Sequence, residues 1–334
     1  MVVLSNPVLD HLPLTKNQKP TNSMSLPIID LSMSDSNTMI LKACEEFGFF
    51  RAINHGIPKE LISRLEEETA KFFSLPLSEK EKAGPAKPFG YGNRRIGPNG
   101  DVGWLEYLLL QAHPQFISQF SLHVSKKTSS FCEAINAYTF AVRGLACQIL
   151  EQIAEELKIE PRNTFSQYLM DKQSDSVFRL NHYPPCPALV DLKYKLIGFG
   201  EHTDPQILTV LRSNNTAGLE ICLRDGSWLP VPPDPNSVIV NVGDAMQALT
   251  NGKFRSVKHR VVANSKKSRL SMIYFGAPSL TAKVAPLPLF LRGEKAIYQT
   301  FTWYEYKKAA YASRLSDNRL DLFRTEEKEA GDTA

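Results

Sequence analysis

Cysteine is scarce and scattered in this sequence. The 334 residues contain five cysteines, none of them in a Cys-x-x-Cys pair: Cys44, Cys132, Cys147, Cys186 and Cys222. An odd number of isolated thiols argues against a disulfide framework and against a cysteine-based zinc cluster. The pattern is typical of a reducing compartment, so we expect a cytoplasmic protein, with the nucleus as the alternative.

Long apolar runs and clusters of charge are also absent. No stretch approaches 18 apolar residues, and no basic segment followed by an apolar one begins the chain, which argues against a membrane span and a secretory signal. The formal net charge of +4 comes from 39 basic and 35 acidic residues, without a run of Lys or Arg typical of nucleic-acid binding. We therefore expect no membrane or nucleic-acid partner, and we take a monomer as the default.

Hydrophobic residues make up 43% of the sequence, which suffices for a large folded core. Between residues 131 and 157 they recur every three or four positions, which predicts a long helix.

Composition and period divide the chain into five regions. They are a flexible N-terminal arm (1–24), a partly helical N-terminal region (25–125), a long supporting helix (126–172), a strand-rich core (173–280) and a C-terminal segment that could form a lid and ends in a frayed tail (281–334).

The strand-rich core has a period of two and turn residues at short intervals. Eight runs have strand character: 177–183, 196–201, 207–211, 219–223, 228–231, 238–242, 257–262 and 269–275. Eight short antiparallel strands predict a double-sheet jelly roll, also called a double-stranded β-helix. We therefore expect an α+β fold, in which this jelly-roll core carries a helical N-terminal part and flanking helices.

Three residues in this core form a candidate metal site. On a strand, positions i and i+2 face the same side, so His202 and Asp204 present an imidazole and a carboxylate to one point. His259 follows within another short strand and could supply the third ligand. Two histidines and one carboxylate on one face of an ion leave the opposite face open, as non-haem Fe(II) enzymes that bind O2 and a cosubstrate require.

A candidate carboxylate clamp follows in the next strand. Arg269 and Ser271 are again i and i+2, and a guanidinium can donate two parallel hydrogen bonds to a carboxylate. A metal site together with such a clamp indicates an Fe(II)- and 2-oxoglutarate-dependent oxygenase. A zinc hydrolase and a metal-free, non-catalytic jelly-roll binding protein are the alternatives from other classes, although neither has a use for the clamp.

Further motifs carry a family resemblance. Asn181-His-Tyr-Pro-Pro-Cys186, taken with the metal and clamp motifs, resembles the plant 2-oxoglutarate-dependent dioxygenases over roughly residues 25–315. Within them, Gly90–Leu109 and His202-Thr-Asp-Pro-Gln-Ile207 are similar to gibberellin 2-oxidases. The resemblance implies hydroxylation of gibberellins at the 2β carbon, which inactivates these hormones, with nineteen-carbon substrates favoured. A plant oxygenase acting on a flavonoid or another acidic terpenoid is the nearest alternative.

The resemblance also implies roles for particular residues. His202, Asp204 and His259 would hold Fe(II), with O2 as a second cosubstrate and ascorbate as the reductant. The residues expected to hold 2-oxoglutarate are Arg269, Ser271, Tyr183 and Asn181.

A gibberellin is a rigid apolar ring system with a carboxylate, so its pocket should combine aromatic walls with a cationic or hydroxyl anchor. We expect Arg95 as the carboxylate partner, Trp104 and Tyr107 as walls, and Tyr304 from the C-terminal segment. The structural alternatives are a surface position for Arg95 and a core-facing helix stripe for Trp104 and Tyr107.

Overall fold

The computed structural model describes residues 13–16, 25–121, 129–187, 194–291, 293 and 295–325. Of the predicted N-terminal arm (1–24), only residues 13–16 are described, and the end of the predicted tail lies outside the described residues. The described strands are β1 (Leu14–Lys16), β2 (Ile28–Asp30), β3 (Phe49–Ile53), β4 (Gly90–Ile96), β5 (Asp101–Gln111), β6 (Val177–Tyr183), β7 (Tyr194–His202), β8 (Leu208–Ser213), β9 (Leu219–Cys222), β10 (Trp228–Pro230), β11 (Val238–Val242), β12 (His259–Val262), β13 (Arg269–Gly276), β14 (Lys283–Val284) and β15 (Phe301–Thr302).

Helices precede, interrupt and follow the strands. They are α1 (Ser36–Glu46), α2 (Lys59–Phe73), α3 (Leu77–Glu81), α4 (Pro114–Ser121), α5 (Ser129–Glu156), α6 (Gln167–Met170), α7 (Asp244–Leu249), α8 (Pro288–Leu291) and α9 (Trp303–Ala312). The predicted long helix is present as α5, the longest described helix. No helix in the described part of the chain is both long and apolar enough to cross a membrane.

Two facing sheets form a jelly roll, as the sequence predicted. The larger sheet has the strand order β2-β3-β11-β8-β13-β6-β5-β4, and the smaller has the order β1-β7-β12-β9-β10. All pairings in these two sheets are antiparallel except the parallel pair β2 and β3. The eight predicted strands correspond to β6 through β13; seven of them lie inside the two sheets, and β10 is an edge strand of the smaller sheet.

The helices cover one face of the larger sheet. Side chains of α1, α2 and α5, among them Ile40, Leu65 and Ile135, are fully buried against strand residues such as Leu208 and Val240. Burying an aliphatic side chain of this size contributes about 1.5–3 kcal/mol to folding. The opposite face of the sheet packs toward the smaller sheet and encloses a second, smaller apolar cluster. The helical layer therefore stabilises one side of a sheet whose other side is left for a ligand.

The segment around Trp104 is a β-hairpin, which corrects the helical alternative considered from its sequence. Strands β4 and β5 extend the larger sheet at its edge, next to β6. In a strand, residues three positions apart face opposite sides. Trp104 and Tyr107 consequently cannot line the same surface, although a helix would have brought them together.

Candidate active site

Strand pairing in the smaller sheet brings the predicted metal ligands together. His202 ends β7, His259 begins β12, and the two residues are directly paired across these strands. Asp204 follows His202 by two residues, and its Oδ1 lies 3.5 Å from His202 Nε2 and 3.6 Å from His259 Nε2. One donor atom of each residue lies within 4.8 Å of the others, which is close enough for all three to bind a single ion.

Backbone carbonyls hold both imidazoles in the form that binds a metal. His202 Nδ1 lies 2.8 Å from the carbonyl oxygen of Gly200, and His259 Nδ1 lies 3.2 Å from that of Val257. When Nδ1–H donates to a carbonyl, the lone pair remains on Nε2. Each Nε2 is the nitrogen that faces Asp204, so the ligand atoms converge.

The carboxylate of Asp204 is also fixed by its neighbours. Its Oδ2 accepts hydrogen bonds from Thr209 Oγ1 at 2.7 Å and from Asn241 Nδ2 at 2.8 Å, which leaves Oδ1 toward the histidines. The following loop is held closely, because Gly243 contacts Gln206 and a Cβ at this glycine would lie 1.9 Å from the Gln206 carbonyl oxygen. No side chain larger than hydrogen fits there, so this glycine maintains the position of the aspartate.

The protonation states agree with metal binding. Burial and, after it, the nearby His202 together lower the pKa of His259 to about 4. Burial alone would raise the pKa of Asp204, but the two histidines and Asn241 outweigh it and hold that pKa well below its usual range. At neutral pH the cluster therefore offers the neutral imidazole of His259 and one anionic oxygen, which together with the imidazole of His202 make up the donor set that suits Fe(II).

The predicted cosubstrate residues meet across β6 and β13. Arg269 is paired with Tyr183, and Ser271 is paired with Asn181. Asn181 Nδ2 donates to Tyr183 Oη at 3.1 Å and to Ser271 Oγ at 3.4 Å. Arg269 is 2% exposed, and its guanidinium carbon lies 5.3 Å from the centre of the Tyr183 ring. Arg269, Tyr183, Ser271 and Asn181 therefore form one cluster of polar side chains beside the metal ligands.

In the part of the chain that the structure describes, Arg269 has no anionic partner. Its Nε and Nη1 are buried without a hydrogen bond to any described residue, and burial lowers its pKa from the ordinary value. Leaving a buried guanidinium unpaired is costly unless an anion binds there. The unpaired nitrogens therefore fit the distal carboxylate of 2-oxoglutarate.

A single large cavity of about 1140 Å³ connects these groups. It lies between the two sheets, and its lining includes the three metal ligands together with Ser271 and Tyr183. Arg269 lies behind this surface and lines a small adjoining cavity of about 20 Å³. The main cavity can hold a cosubstrate and a rigid polycyclic molecule together, since drug-sized ligands occupy roughly 300–1,000 Å³.

Comparisons with known proteins agree with this geometry. Residues 174–278 match the model of the 2OG-Fe(II) oxygenase superfamily, and residues 26–130 match that of the non-haem dioxygenase in morphine synthesis N-terminal region. The chain is 56% identical to gibberellin 2-beta-dioxygenase 1 of Pisum sativum over 96% of this chain and 97% of the relative. It is 53% identical to gibberellin 2-beta-dioxygenase 2 of Arabidopsis thaliana over 97% of this chain and 96% of the relative. The chain belongs to the 2OG-Fe(II) oxygenase superfamily, within the gibberellin 2-beta-dioxygenase family.

Solved structures show the same architecture. The crystal structure of JOX2 in complex with 2OG, Fe and JA superposes with a TM-score of 0.80 and 27% identity, covering 91% of this chain and 90% of that one. The rice dioxygenase for auxin oxidation superposes with a TM-score of 0.75 and 26% identity, covering 90% of this chain and all of that one. The jelly-roll core of this oxygenase is therefore shared with oxygenases of other small molecules.

Two of the four predicted substrate residues lie at the oxygenase's cavity. Arg95 is an exposed residue at its lining. Tyr107 is buried, lines the same cavity, and donates a hydrogen bond from its hydroxyl to the Arg95 carbonyl at 3.1 Å. These two positions are consistent with the expected anchor and aromatic wall.

Trp104 does not line the cavity, which corrects the expectation from the sequence. Its Nε1 donates to the carbonyl of Pro184 at 2.9 Å, and its ring packs against Cys186 and Leu196. The guanidinium of Arg94 lies 4.9 Å from the ring centre. Because β5 is a strand, Trp104 faces the side opposite to Tyr107 and has a structural role.

Tyr304 also lies outside the cavity lining and is 55% exposed. Helix α9 contributes other residues to the lining, including Trp303, Lys307 and Tyr311, which recur at helical spacing. Tyr304 is one position beyond Trp303, and a rotation of about 100° per residue points it to solvent. The expectation of a C-terminal contribution was therefore correct for the helix but wrong for this residue.

Reasoning from the sequence missed Arg179, a cavity-lining residue on β6. Its guanidinium lies 4.1 Å from the centre of the Tyr107 ring and 4.7 Å from that of Phe199. Its Nε donates to Asn181 Oδ1 at 2.8 Å. The available signal was the alternation of the strand, which places Arg179 on the same side as Asn181 and Tyr183.

A contact between distant segments at the cavity was also missed. Asn99, in the turn between β4 and β5, donates from Nδ2 to the carbonyl oxygens of Tyr311 at 2.7 Å and Ser313 at 2.6 Å. The backbone N–H of Leu315 donates to Asp101 Oδ2 at 3.0 Å. All five residues line the cavity, so the hairpin and the end of α9 together close one side of it.

Proposed function

We propose that this enzyme hydroxylates gibberellins at the 2β carbon in an Fe(II)- and 2-oxoglutarate-dependent reaction, and so inactivates them. The observation that carries the proposal is that the metal cluster and Ser271 line one cavity of about 1140 Å³, with the unpaired nitrogens of Arg269 behind that lining. The substrate class is supported by identities of 48–56% to gibberellin 2-beta-dioxygenases from Pisum, Phaseolus and Arabidopsis over 90–97% of the chain. Nineteen-carbon gibberellins are the proposed preferred substrates.

Each part of the site has a distinct task in this reaction. His202, Asp204 and His259 would hold the iron, while Arg269 and the hydroxyl groups beside it would hold the distal carboxylate of 2-oxoglutarate. The bound metal, with 2-oxoglutarate and O2, supplies the oxidising power that places a hydroxyl on an unactivated carbon, with succinate and CO2 as coproducts. Ascorbate would serve as the reductant that keeps the iron in its Fe(II) state.

The protein itself contributes orientation and exclusion of water. The aromatic and aliphatic cavity walls, including Phe199, Leu211 and Ile273, match the apolar rings of a gibberellin. We place the substrate carboxylate at the cationic side of the cavity, which Arg95, Arg179 and Tyr107 line. A rigid substrate held in this way presents one carbon to the metal, which gives the reaction its regiochemistry.

We further propose that the enzyme works as a monomer in the cytoplasm, without nucleic-acid or membrane partners. The scattered reduced thiols and the absence of a cationic run in the sequence support this assignment. Sedimentation of the purified protein tests the monomer, since an apparent mass of twice 37.5 kDa would contradict it.

Mass spectrometry of reaction products tests the proposed function. The enzyme is incubated with Fe(II), ascorbate and 2-oxoglutarate against a panel of nineteen- and twenty-carbon gibberellins, flavonoids and other acidic terpenoids. A gibberellin product heavier by one oxygen atom and formed with succinate supports the proposal, and NMR of the product locates the hydroxyl group. Turnover of a flavonoid or another terpenoid in preference to every gibberellin would replace the substrate assignment and leave the oxygenase assignment intact.

A further inference from the structure

Arg179 lines the cavity and forms no ion pair with an acidic side chain in the described part of the chain; Asp204 acts on its charge from beyond ion-pair distance. Within the described residues its Nε donates to Asn181 Oδ1, while its Nη2 has no hydrogen-bond partner. Its Nη2 is buried, and the guanidinium is enclosed by the rings of Tyr107 and Phe199. Since an arginine stays charged even when buried, such a position favours an anion that enters the cavity.

The other cations that line the cavity have partners or are open to solvent. Lys307 forms an ion pair with Asp175 at 2.7 Å. Arg319 donates to the carbonyl of Thr203 at 2.6 Å, and its charge opposes the rise that burial causes in the pKa of the nearby Asp244. Arg95 and Lys87 are exposed to solvent, where a charge is well hydrated. The enclosed and unpaired guanidinium is therefore that of Arg179.

Asn181 connects Arg179 with the cosubstrate clamp. Its Oδ1 accepts the hydrogen bond from Arg179 Nε, which directs its Nδ2 toward Tyr183 Oη and Ser271 Oγ. An amide that lost this donor could rotate by half a turn and present an oxygen to the clamp instead. The orientation of a clamp residue thus depends on the position of a guanidinium in the substrate cavity.

We propose that Arg179 binds the substrate carboxylate and, through Asn181, couples the binding of an acidic substrate to the binding of 2-oxoglutarate. This inference rests on the proposed function, because a gibberellin supplies the carboxylate. Arg179 acts in two ways, as a specificity-determining residue for the substrate acid and as a positioning residue for the cosubstrate. By thermodynamic linkage, each of the two ligands then strengthens the binding of the other.

Anaerobic calorimetry on Mn(II)-loaded enzyme tests the first role without turnover. A nineteen-carbon gibberellin and its methyl ester are titrated into wild type, Arg179→Gln, Arg179→Lys and Arg94→Gln. Arg179→Gln is expected to weaken binding of the acid by about 10- to 100-fold, as for a lost charged hydrogen bond, with the ester changed less than about threefold. Arg179→Lys should restore part of the preference for the acid. Arg94→Gln is the matched control, because Arg94 stacks on Trp104 outside the cavity lining.

Titration of 2-oxoglutarate with and without the gibberellin acid tests the coupling. Wild type is expected to bind 2-oxoglutarate about three- to tenfold more tightly when the acid is present, and Arg179→Gln to lose this enhancement. Asn181→Ala should retain the preference for acid over ester and lose the enhancement. The proposal would be overturned if Arg179→Gln lost affinity for the acid and the ester equally. It would also be overturned if, in the same titrations, Arg95→Gln were the one variant with a selective loss of affinity for the acid. A wild type that binds neither compound would overturn the proposed function as well, so the two failures are distinguishable.

Discussion

His202 and His259 lie directly opposite each other on β7 and β12, with their ring centres 4.3 Å apart. They are distant in sequence, so the metal site exists only when these two strands are paired in this register. A shift of one residue would turn one imidazole to the other face of the sheet. The metal site therefore forms when the smaller sheet forms.

Removal of the anionic ligand should abolish metal binding. Asp204→Ala is expected to retain less than about a tenth of the wild-type iron content and less than about one per cent of its turnover, because two neutral imidazoles hold Fe(II) weakly. Metal analysis of the purified protein measures the first quantity, and succinate release the second. Asp225→Ala, at an exposed turn, is the control and should match wild type. Wild-type iron content in Asp204→Ala would rule out the metal assignment.

Removal of the Arg269 clamp should weaken the binding of 2-oxoglutarate and leave iron binding intact. Arg269→Ala is expected to raise the KM for 2-oxoglutarate by about 100-fold, since truncating one partner of a buried charged pair typically costs 2–5 kcal/mol. Iron content should remain within about twofold of wild type. Arg224→Ala removes an exposed arginine and serves as the control. An increase in KM of less than about threefold for Arg269→Ala would show that the carboxylate binds elsewhere.

The sequence predicted the metal and clamp residues because strand alternation is local. Residues two apart on a strand share a face whatever the rest of the fold does, so the pair Arg269/Ser271 on β13 could be assigned from spacing. The same rule indicated His202 and Asp204, although β7 ends at His202 and Asp204 reaches the site from the loop that follows. The eight strands of the core were predicted for the same reason, since each short run alternates and ends at turn residues.

The substrate-binding residues were harder to predict than the metal ligands, because their positions depend on contacts between distant segments. Trp104 was misplaced because β5 was not recognised as a strand, and Tyr304 because the rotation of α9 is set by packing. Arg179 shares a strand with Asn181, but its exposure to the cavity depends on the rings of Tyr107 and Phe199 from other strands. Periodicity gives the face of a residue and not the element that packs against it.

A buried ionic network behind the cavity should contribute to stability. Glu106 accepts hydrogen bonds from Lys80 Nζ at 2.6 Å and Tyr91 Oη at 2.6 Å, and lies 2.7 Å from His182 Nδ1. Glu106→Gln would leave the Lys80 ammonium buried without its anion, and breaking such pairs costs about 3–5 kcal/mol. We expect a loss of about 3 kcal/mol in the free energy of unfolding, measured by urea denaturation at pH 7.

The effect of this substitution should depend on pH. Burial alone would raise the pKa of Glu106, but hydrogen bonds from His182, Lys80 and Tyr91 outweigh it and lower the pKa from the ordinary value of 4.5. A lowered pKa in the folded state stabilises the protein above pH 4.5, and this contribution is lost as the pH falls through the folded value. The difference between wild type and Glu106→Gln should therefore shrink below that pH. Glu79→Gln, in an exposed pair with Lys82, should change stability by less than about 1 kcal/mol at any pH.

The contact between the β4–β5 turn and the end of α9 should control access to the cavity. Asn99 makes both of its hydrogen bonds to carbonyls of this C-terminal segment, at Tyr311 and Ser313. Each such bond contributes about 1 kcal/mol, so Asn99→Ala should raise the KM for a gibberellin by about three- to tenfold, with iron content and the KM for 2-oxoglutarate unchanged. The freed segment should also be cleaved faster by trypsin at Arg314, because local opening exposes its backbone. Asn236→Ala, at an exposed turn, is the control. Unchanged substrate KM and cleavage rate in Asn99→Ala would show that the segment is held by its packing alone.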